Sequence, residues 1–136
     1  MTSATVRYFV DDLDEAVAFY RDTLGFEVEL RPSPMFAMLY RDDLRVLLSV
    51  PGGGGGGAPM PDGTQQGAGG WNRFALQVPD LEASVAELRG RGARFRNDIV
   101  TGVGVKQVLL QDPAGNLIEL FEPLAAYHER RQPMSG

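Results

Sequence analysis

Residues 112–123 read Asp-Pro-Ala-Gly-Asn-Leu-Ile-Glu-Leu-Phe-Glu-Pro, and this stretch decides the fold. Its first half predicts a tight turn, because proline fixes the backbone φ angle and glycine or asparagine accepts the positive φ that a reversal needs. The apolar residues from Leu117 to Phe121 then predict a strand, which Pro123 ends. Glu119 places a carboxylate in the middle of that apolar strand, so its role has to be explained.

The remainder of the chain repeats one succession of elements. In the first half, residues 5–10 predict a strand, and Asp11 or Asp12 then caps a helix that Gly25 ends. Three more strands are predicted near residues 26–30, 35–40 and 44–50. From Trp71 the pattern recurs, with a helix near residues 81–91 and strands near 94–98, 103–111 and 116–122. The sequence therefore predicts an α+β fold made of two tandem βαβββ modules.

The two modules are expected at residues 1–50 and 71–123, followed at 124–136 by a tail that predicts a short helix. Residues 51–70 join them and contain six consecutive glycines, which favours a mobile linker or lid. A phosphate-binding loop is not favoured, because the glycine run lacks both a Walker lysine and a following helix start. Each module has a hydrophobic face that it cannot bury alone, so the halves must pack against each other or against a second chain.

The composition excludes several classes of partner and site. The formal net charge of −5 and the absence of a basic block argue against nucleic acid. The chain has no cysteine, so a disulfide, a thiolate metal site and a cysteine nucleophile are all excluded. No stretch approaches the roughly 20 apolar residues of a membrane helix, and no secretory signal is recognisable. We therefore expect a cytoplasmic protein that binds neither nucleic acid nor membrane.

Several motifs together resemble those of the vicinal oxygen chelate superfamily, which includes glyoxalase I, extradiol dioxygenases, fosfomycin-modifying enzymes and bleomycin-resistance proteins. The resemblance rests on the strand after the Asp112 turn and on the helix openings Val-Asp-Asp-Leu at residues 10–13 and Val-Pro-Asp-Leu at residues 78–81. Residues 18–26 also resemble the family's helix-to-strand corner. This resemblance implies a curved mixed sheet, paired in a homodimer that is either domain-swapped or unswapped.

In the metalloenzymes of this superfamily, two side chains from each half bind one divalent ion. The matching positions here are Thr5, Leu47, Arg73 and Glu119. Leucine has no lone pair, threonine is a poor neutral donor and arginine carries a fixed positive charge, so this set is unsuited to a metal. We expect no metal and no other cofactor. The only histidine, His128, lies outside both repeats, and we interpret it mainly as a solvated tail residue.

Arg73 and Glu119 invite three interpretations. The guanidinium of Arg73 could replace the lost cation and present a donor fork to a ligand carbonyl or phenolate. Alternatively, the two residues form a cross-strand ion pair that only satisfies a partly buried carboxylate. In the third interpretation, Glu119 acts as a catalytic base.

A trough of aromatic and methionine side chains with few polar anchors suits a bulky, flat, mostly apolar molecule. The predicted ligand-binding residues are Phe36, Met38, Tyr40, Leu47, Trp71, Arg73, Val108, Leu110 and Glu119. Trp71 is the strongest of these candidates, because it lies at the exit of the glycine-rich loop, where an indole can close over a ligand.

The predicted function is metal-independent and non-catalytic. Resemblance to the bleomycin-resistance type of protein implies sequestration of an aromatic antibiotic or natural product in clefts between the chains of a homodimer. The first alternative is a metal-free lyase or isomerase that uses Glu119, Tyr40 or Tyr8 as acid or base. Less favoured are a metal-dependent glyoxalase or dioxygenase and a structural or regulatory dimer without a small ligand.

Overall fold

The computed structural model describes residues 4–124 and forms two compact units. The first unit contains the described residues up to Trp71 together with Asp112–Asn116. The second contains Asn72–Gln111 and the described residues from Leu117 onward. The predicted tail helix and His128 lie outside the described residues. Each unit has one sheet and one main helix, which confirms the predicted α+β fold of two βαβββ modules.

The first unit follows the predicted βαβββ order. Its elements are β1 (Ala4–Phe9), α1 (Leu13–Ala18), β2 (Glu27–Ser33), β3 (Phe36–Arg41) and β4 (Leu44–Ser49). The strands form a sheet in the order β1-β4-β3-β2, in which β1 runs parallel to β4 and the other pairs are antiparallel. Helix α1 packs against β3 and β4.

Helix α1 begins at a capping residue and is followed directly by a π-helical turn. The side chain of Asp12 accepts a hydrogen bond from the Glu15 amide at 3.1 Å, which caps the first turn. The helix was predicted to continue to Leu24, but residues Phe19–Thr23 form a π-helical turn instead. There the Leu24 amide donates to the Phe19 carbonyl, five residues back, and Gly25 then reverses the chain with φ at 76°.

The first sheet has two chemically different faces, because successive side chains of a strand point in opposite directions. The paired residues Ala37–Leu48 and Leu39–Val46 are fully buried in the core. The opposite face carries the cross-strand pairs Phe36–Ser49, Met38–Leu47 and Tyr40–Arg45, and β1 adds Thr5, Arg7 and Phe9 to it. We call this second surface the Arg7 face.

The second unit repeats the same order, except that two short strands stand in place of the first strand after the helix. Its elements are β5 (Phe74–Gln77), α2 (Leu81–Gly90), β6 (Arg94–Phe95), β7 (Val100–Thr101), β8 (Val105–Gln111) and β9 (Leu117–Pro123). The sheet order is β5-β9-β8-β6, with β7 pairing separately with β8 and with β5 parallel to β9.

The strand predicted near residues 94–98 ends after Phe95, and the separate short strand β7 follows beyond the predicted range. The Asn97 side-chain oxygen accepts a hydrogen bond from the Leu109 amide at 2.9 Å. That amide would otherwise bond to a backbone carbonyl of the neighbouring strand, so the side chain breaks the ladder locally.

The second sheet also divides into a buried face and an opposite face. Val108 and Leu110, predicted at the ligand cavity, are fully buried and pair with Leu120 and Ile118 in the core. Leu109 lies between them on the other face, opposite Glu119. A shift of one residue exchanges the faces of a strand, and three consecutive apolar residues carry no signal for which face is which. Val108 and Leu110 therefore lie on the core face of this sheet, and their role in ligand binding stays a prediction.

The predicted turn at Asp112–Asn116 is confirmed, and Gly115 supplies the positive φ, at 93°. The Asp112 carboxylate is fully buried and accepts hydrogen bonds from the Tyr20 hydroxyl, the Ala114 and Asn116 amides and the Asn116 side chain, at 2.8 to 2.9 Å. Asn116 also donates to the Phe9 carbonyl at 2.7 Å. The turn motif is therefore specified by hydrogen bonds as well as by backbone conformation.

Burial raises the pKa of Asp112, while its hydrogen bonds act in the opposite direction. The pKa of Tyr20 is raised well above its ordinary value, first by burial and then by the charge of Asp112. In both groups burial disfavours the ionised form, and every hydrogen bond described for the carboxylate comes from within the turn or from Tyr20, which marks this cluster as structural.

Within the described residues, no helix is long and apolar enough to cross a membrane.

Candidate functional site

The glycine run after β4 forms a closed, hydrogen-bonded loop. The Gly52 amide donates to the Gly57 carbonyl at 2.9 Å, and Gly55–Gly57 form a 3₁₀ turn. A Cβ atom on Gly57 would lie only 2.8 Å from the Val50 carbonyl oxygen, so the loop folds back tightly onto the end of β4. Whether this loop opens and closes as a lid stays a prediction.

A cavity of about 330 Å³ lies between this loop and the Arg7 face. Its apolar wall comes from Met35, Phe36 and Val50, and its polar wall from Arg7 and Ser49. Pro32 and Ser33 of β2 and the four glycines at 54–57 complete the lining. The volume is at the small end of the roughly 300–1,000 Å³ of ligand pockets. It therefore suits a fused-ring group better than a complete large antibiotic.

Arg7 is the charged residue of the cavity, and two neighbours hold its guanidinium. Its Nη1 donates a hydrogen bond to the Ser49 hydroxyl at 2.7 Å, and Ser49 is only 2% exposed. The guanidinium carbon lies 6.0 Å from the ring centroid of Phe36, a cation–π distance. Within residues 4–124, Arg7 forms no ion pair with a carboxylate.

The predicted ligand-binding residues of the first unit occupy different parts of it. Phe36 lines the cavity, whereas Met38, Tyr40 and Leu47 share the Arg7 face without lining it. A hydrogen bond with Glu27 raises the pKa of Tyr40, so this phenol ionises less readily than an ordinary tyrosine. Trp71, at the end of the loop segment, is 65% exposed.

The ion pair predicted between Arg73 and Glu119 is present in the second unit. Arg73 Nη2 and Nε lie 3.0 and 3.1 Å from Glu119 Oε1. The side chains are 32% and 18% exposed, so the pair is partly shielded from solvent. This geometry agrees with both the ligand-fork and the structural interpretation, and the role of the pair in binding stays a prediction.

Strand pairing supports the correspondence of the four expected metal positions. In the parallel pairs, Arg7 lies opposite Leu47 and Ala75 lies opposite Glu119. Thr5 lies two residues before Arg7, and Arg73 lies two residues before Ala75. The two positions therefore correspond to each other in the two units. Leu47 offers no donor atom, and Glu119 is already bound by a guanidinium. These residues do not fit the metal site of the superfamily's metalloenzymes.

Three carboxylates of the second unit lie close enough together to be considered as a metal site: Asp80, Glu82 and Glu122. Each already has a partner. Asp80 caps α2 through the Ala83 amide, and Glu122 accepts from the Leu81 amide at 2.8 Å. The Lys106 ammonium lies 2.8 Å from Glu82 and 3.7 Å from Glu122. We interpret this cluster as a helix-capping and ion-pair network.

Arg7 is the lining residue of this cavity that the sequence analysis did not single out. One signal was available for Arg7. The strand at residues 5–10 alternates Thr5, Arg7 and Phe9 with Val6, Tyr8 and Val10, and the second set is the one expected in the core. This alternation places Arg7 on the face that remains free for a ligand.

The comparison with protein families decides the classification. A family model described as the Glyoxalase/Bleomycin resistance protein/Dioxygenase superfamily matches residues 2–120. The chain belongs to this superfamily. The resemblance inferred from the Asp112 strand and the two helix openings is thereby confirmed.

Several solved structures are similar to this chain over nearly its whole length. Lactoylglutathione lyase from Agrobacterium tumefaciens is 25% identical, with 90% of this chain and 92% of that chain covered and a TM-score of 0.69. A superfamily member from Sphaerobacter thermophilus is 26% identical, with 90% and 97% covered and a TM-score of 0.72. TnmS3, an antibiotic binding protein from Streptomyces sp. CB03234, is 23% identical, with 90% and 96% covered and a TM-score of 0.66. Comparison with curated proteins gives no match.

Proposed function

We propose that this protein binds and sequesters a planar aromatic natural product or antibiotic without a metal ion. The observation that carries the proposal is the cavity beneath the glycine loop, with its aromatic, thioether and aliphatic wall. Among the described residues that line it there is no histidine or carboxylate to act as a general base, and arginine stays protonated. Such a site supplies shape and affinity but no acid–base chemistry.

Two further observations support binding over catalysis. The residues at the superfamily's metal positions include Leu47 and an arginine that is paired with Glu119, and this set of side chains argues against Lewis-acid chemistry at these positions. In addition, TnmS3 is named an antibiotic binding protein and has the same fold. That likeness is an analogy at the level of the fold and does not assign a ligand by itself.

The proposal is tested by calorimetric titration with a panel of aromatic antibiotics, with Trp71 fluorescence as a second readout. We expect saturable binding that is unchanged by EDTA, with the compound recovered chemically intact. Conversion of the compound would instead support the metal-free enzyme, particularly if Glu119→Gln abolished it. Loss of binding on EDTA treatment would contradict metal independence.

A matched pair of methionine variants locates the binding site. Met35 lines the cavity, whereas Met60 lies in the following loop segment, does not line the cavity and is 44% exposed. We expect Met35→Ala to weaken binding about 5- to 30-fold, since removing a buried methionine contact costs about 1–2 kcal/mol. Met60→Ala should leave affinity unchanged. Equal effects of the two substitutions would place the ligand elsewhere.

We also propose that the protein forms a homodimer and acts in the cytoplasm. Its partners would then be a second copy of the chain and the aromatic ligand. Light scattering coupled to size exclusion tests the oligomeric state directly. A monomer that binds ligand with full affinity would reject the dimer and retain the binding function.

A further inference from the structure

The cavity carries a positive charge on one side and an apolar wall on the other. Arg7 is the charged residue among those that line it, and no acidic side chain is among them. The whole chain has a formal charge of −5, which would repel an anion at long range. Salt screens that repulsion over about 10 Å, whereas a group inside the cavity would contact the guanidinium directly.

The guanidinium retains hydrogen-bonding capacity for a ligand. Arginine has five N–H donors, and Nη1 uses one on the Ser49 hydroxyl. Because Arg7 has no carboxylate partner within residues 4–124, its charge is not neutralised by the part of the chain that the structure describes. The other arginine considered for ligand binding, Arg73, differs in this respect, since Glu119 occupies its fork.

The surroundings of Arg7 hold the guanidinium in place before a ligand arrives. The nearly fully buried Ser49 hydroxyl fixes one edge, and the Phe36 ring lies beside it. On the loop side, the backbone of Gly56 approaches so closely that a Cβ atom there would overlap the guanidinium. A glycine at this position therefore permits the close approach. Preorganisation of this kind reduces the entropy lost when a ligand binds.

We infer that the cavity is selective for aromatic ligands that carry an acidic group, such as a sulfonate, a carboxylate or an ionised phenol. The ring system packs against Phe36 and Met35, and the acidic group accepts hydrogen bonds from Arg7. This inference rests on the proposed function, because the apolar half of the recognition uses the same cavity.

Two fluorescent probes share the same ring system and differ only in an acidic group, so comparing them tests the contribution of that group to binding. The anion is 8-anilinonaphthalene-1-sulfonate, and its neutral counterpart is N-phenyl-1-naphthylamine, which lacks only the sulfonate. We expect each probe to bind at one site per chain. The sulfonate should bind at least 10-fold more tightly, because it accepts a charge-assisted hydrogen bond from Arg7. Calorimetry on the natively folded protein gives the stoichiometry and separates site binding from general dye adsorption.

Two arginine variants with the same change in net charge locate the effect. Arg7→Met should weaken sulfonate binding at least 5-fold and change binding of the neutral probe less than 2-fold. Arg41→Met is the control, because Arg41 ends β3 and does not line the cavity; it should affect neither probe. Circular dichroism and urea unfolding verify that both variants retain the fold.

The possible outcomes separate this inference from the proposed function. If neither probe binds, the aromatic cavity is not a binding site and both proposals fail. If both probes bind equally and Arg7→Met changes neither, aromatic binding stands and selectivity for anions is rejected. Equal weakening of sulfonate binding by Arg7→Met and Arg41→Met would also reject it, because the effect would then reflect overall charge.

Discussion

The guanidinium of Arg7 and the backbone of Gly56 pack so closely that no side chain fits between them. We therefore expect Gly56→Ala to displace the guanidinium from Ser49 and to reduce the preference for the sulfonate probe at least 3-fold. Stability should fall by less than about 1 kcal/mol, because the displaced group is the end of a flexible side chain. Probe titration and urea unfolding measure the two effects.

Gly54 provides the control for that substitution. It lies two residues earlier in the same loop, its φ is −71°, and a Cβ atom there would meet nothing within 4 Å. Because Gly54 also lines the cavity, any effect of Gly54→Ala on binding should be the same for both probes, so that the preference for the sulfonate is unchanged. The substitution should also stabilise the protein by up to about 1 kcal/mol through the unfolded state. An equal loss of selectivity in both variants would show that the loop, and not the Arg7 contact, controls binding.

Substitution of a third loop glycine, Gly57, should lower stability, because a new Cβ atom there would meet a backbone atom and not the end of a flexible side chain. A Cβ atom on Gly57 would lie 2.8 Å from the Val50 carbonyl oxygen, which no rotamer change can relieve. We expect Gly57→Ala to lower the free energy of unfolding by about 1–3 kcal/mol, as measured by urea denaturation. A neutral result would mean that the loop adapts readily, which would favour the mobile lid predicted from the glycine composition.

The buried carboxylate of Asp112 should be one of the most sensitive positions for stability. Asp112→Ala leaves the Tyr20 hydroxyl, two amides and the Asn116 side chain without their acceptor. The expected cost is about 3–5 kcal/mol, whereas Tyr20→Phe should cost about 1–2 kcal/mol. Asp98→Ala, at a fully exposed side chain, is the control and should change stability by less than about 0.5 kcal/mol. Similar costs at Asp112 and Asp98 would contradict a structural role for this cluster.

The strands, helices and turns were predictable because their signals are local. Asp12 and Asp80 cap the helices that they precede, and Gly25 and Gly115 adopt the positive φ that their turns require. The π-helical turn after α1 was not predictable, because its residues keep ordinary helical spacing. The break between β6 and β7 depends on one hydrogen bond that the Leu109 amide donates to the Asn97 side chain.

The site was less predictable because its residues are distant in sequence. Arg7 and Ser49 are 42 positions apart, and no local pattern links them to each other or to Gly56. Phe36 was predicted from its aromatic character alone. Val108 and Leu110 were chosen for their apolar character. The sequence could not show which face of β8 they occupy, because Leu109 between them is equally apolar. Residue type therefore identified candidates, and strand register was needed to separate core from cavity.

The raised pKa of Asp112 predicts a direction for the pH dependence of stability. Burial disfavours the ionised form in the folded state, so the folded protein binds the proton more tightly than the unfolded chain does. This group's stabilisation is fully present below its ordinary pKa of 3.8 and is lost as the pH rises through its raised folded pKa. The stability of the native protein relative to Asp112→Asn should therefore increase as the pH falls through that window.

Urea unfolding of both proteins across the acidic range measures this difference, and the titration of all other groups cancels in the comparison. A difference that runs in the opposite direction would show that the four hydrogen bonds to the carboxylate outweigh the cost of its burial, so that the folded-state pKa lies below 3.8.

The Arg73–Glu119 pair requires a double-mutant cycle to separate its structural role from a role in binding. Arg73→Met, Glu119→Gln and the double variant should give a coupling energy of about 1 kcal/mol, since the side chains are only 32% and 18% exposed. The exposed pair Arg21–Asp22, with 51% and 62% exposure, is the control and should couple by less than about 0.5 kcal/mol. If the ligand fork is the correct interpretation, Arg73→Met also weakens probe binding at least 5-fold. If the pair is structural, the coupling persists while both probes bind as before, and Arg7 remains the arginine that selects the ligand.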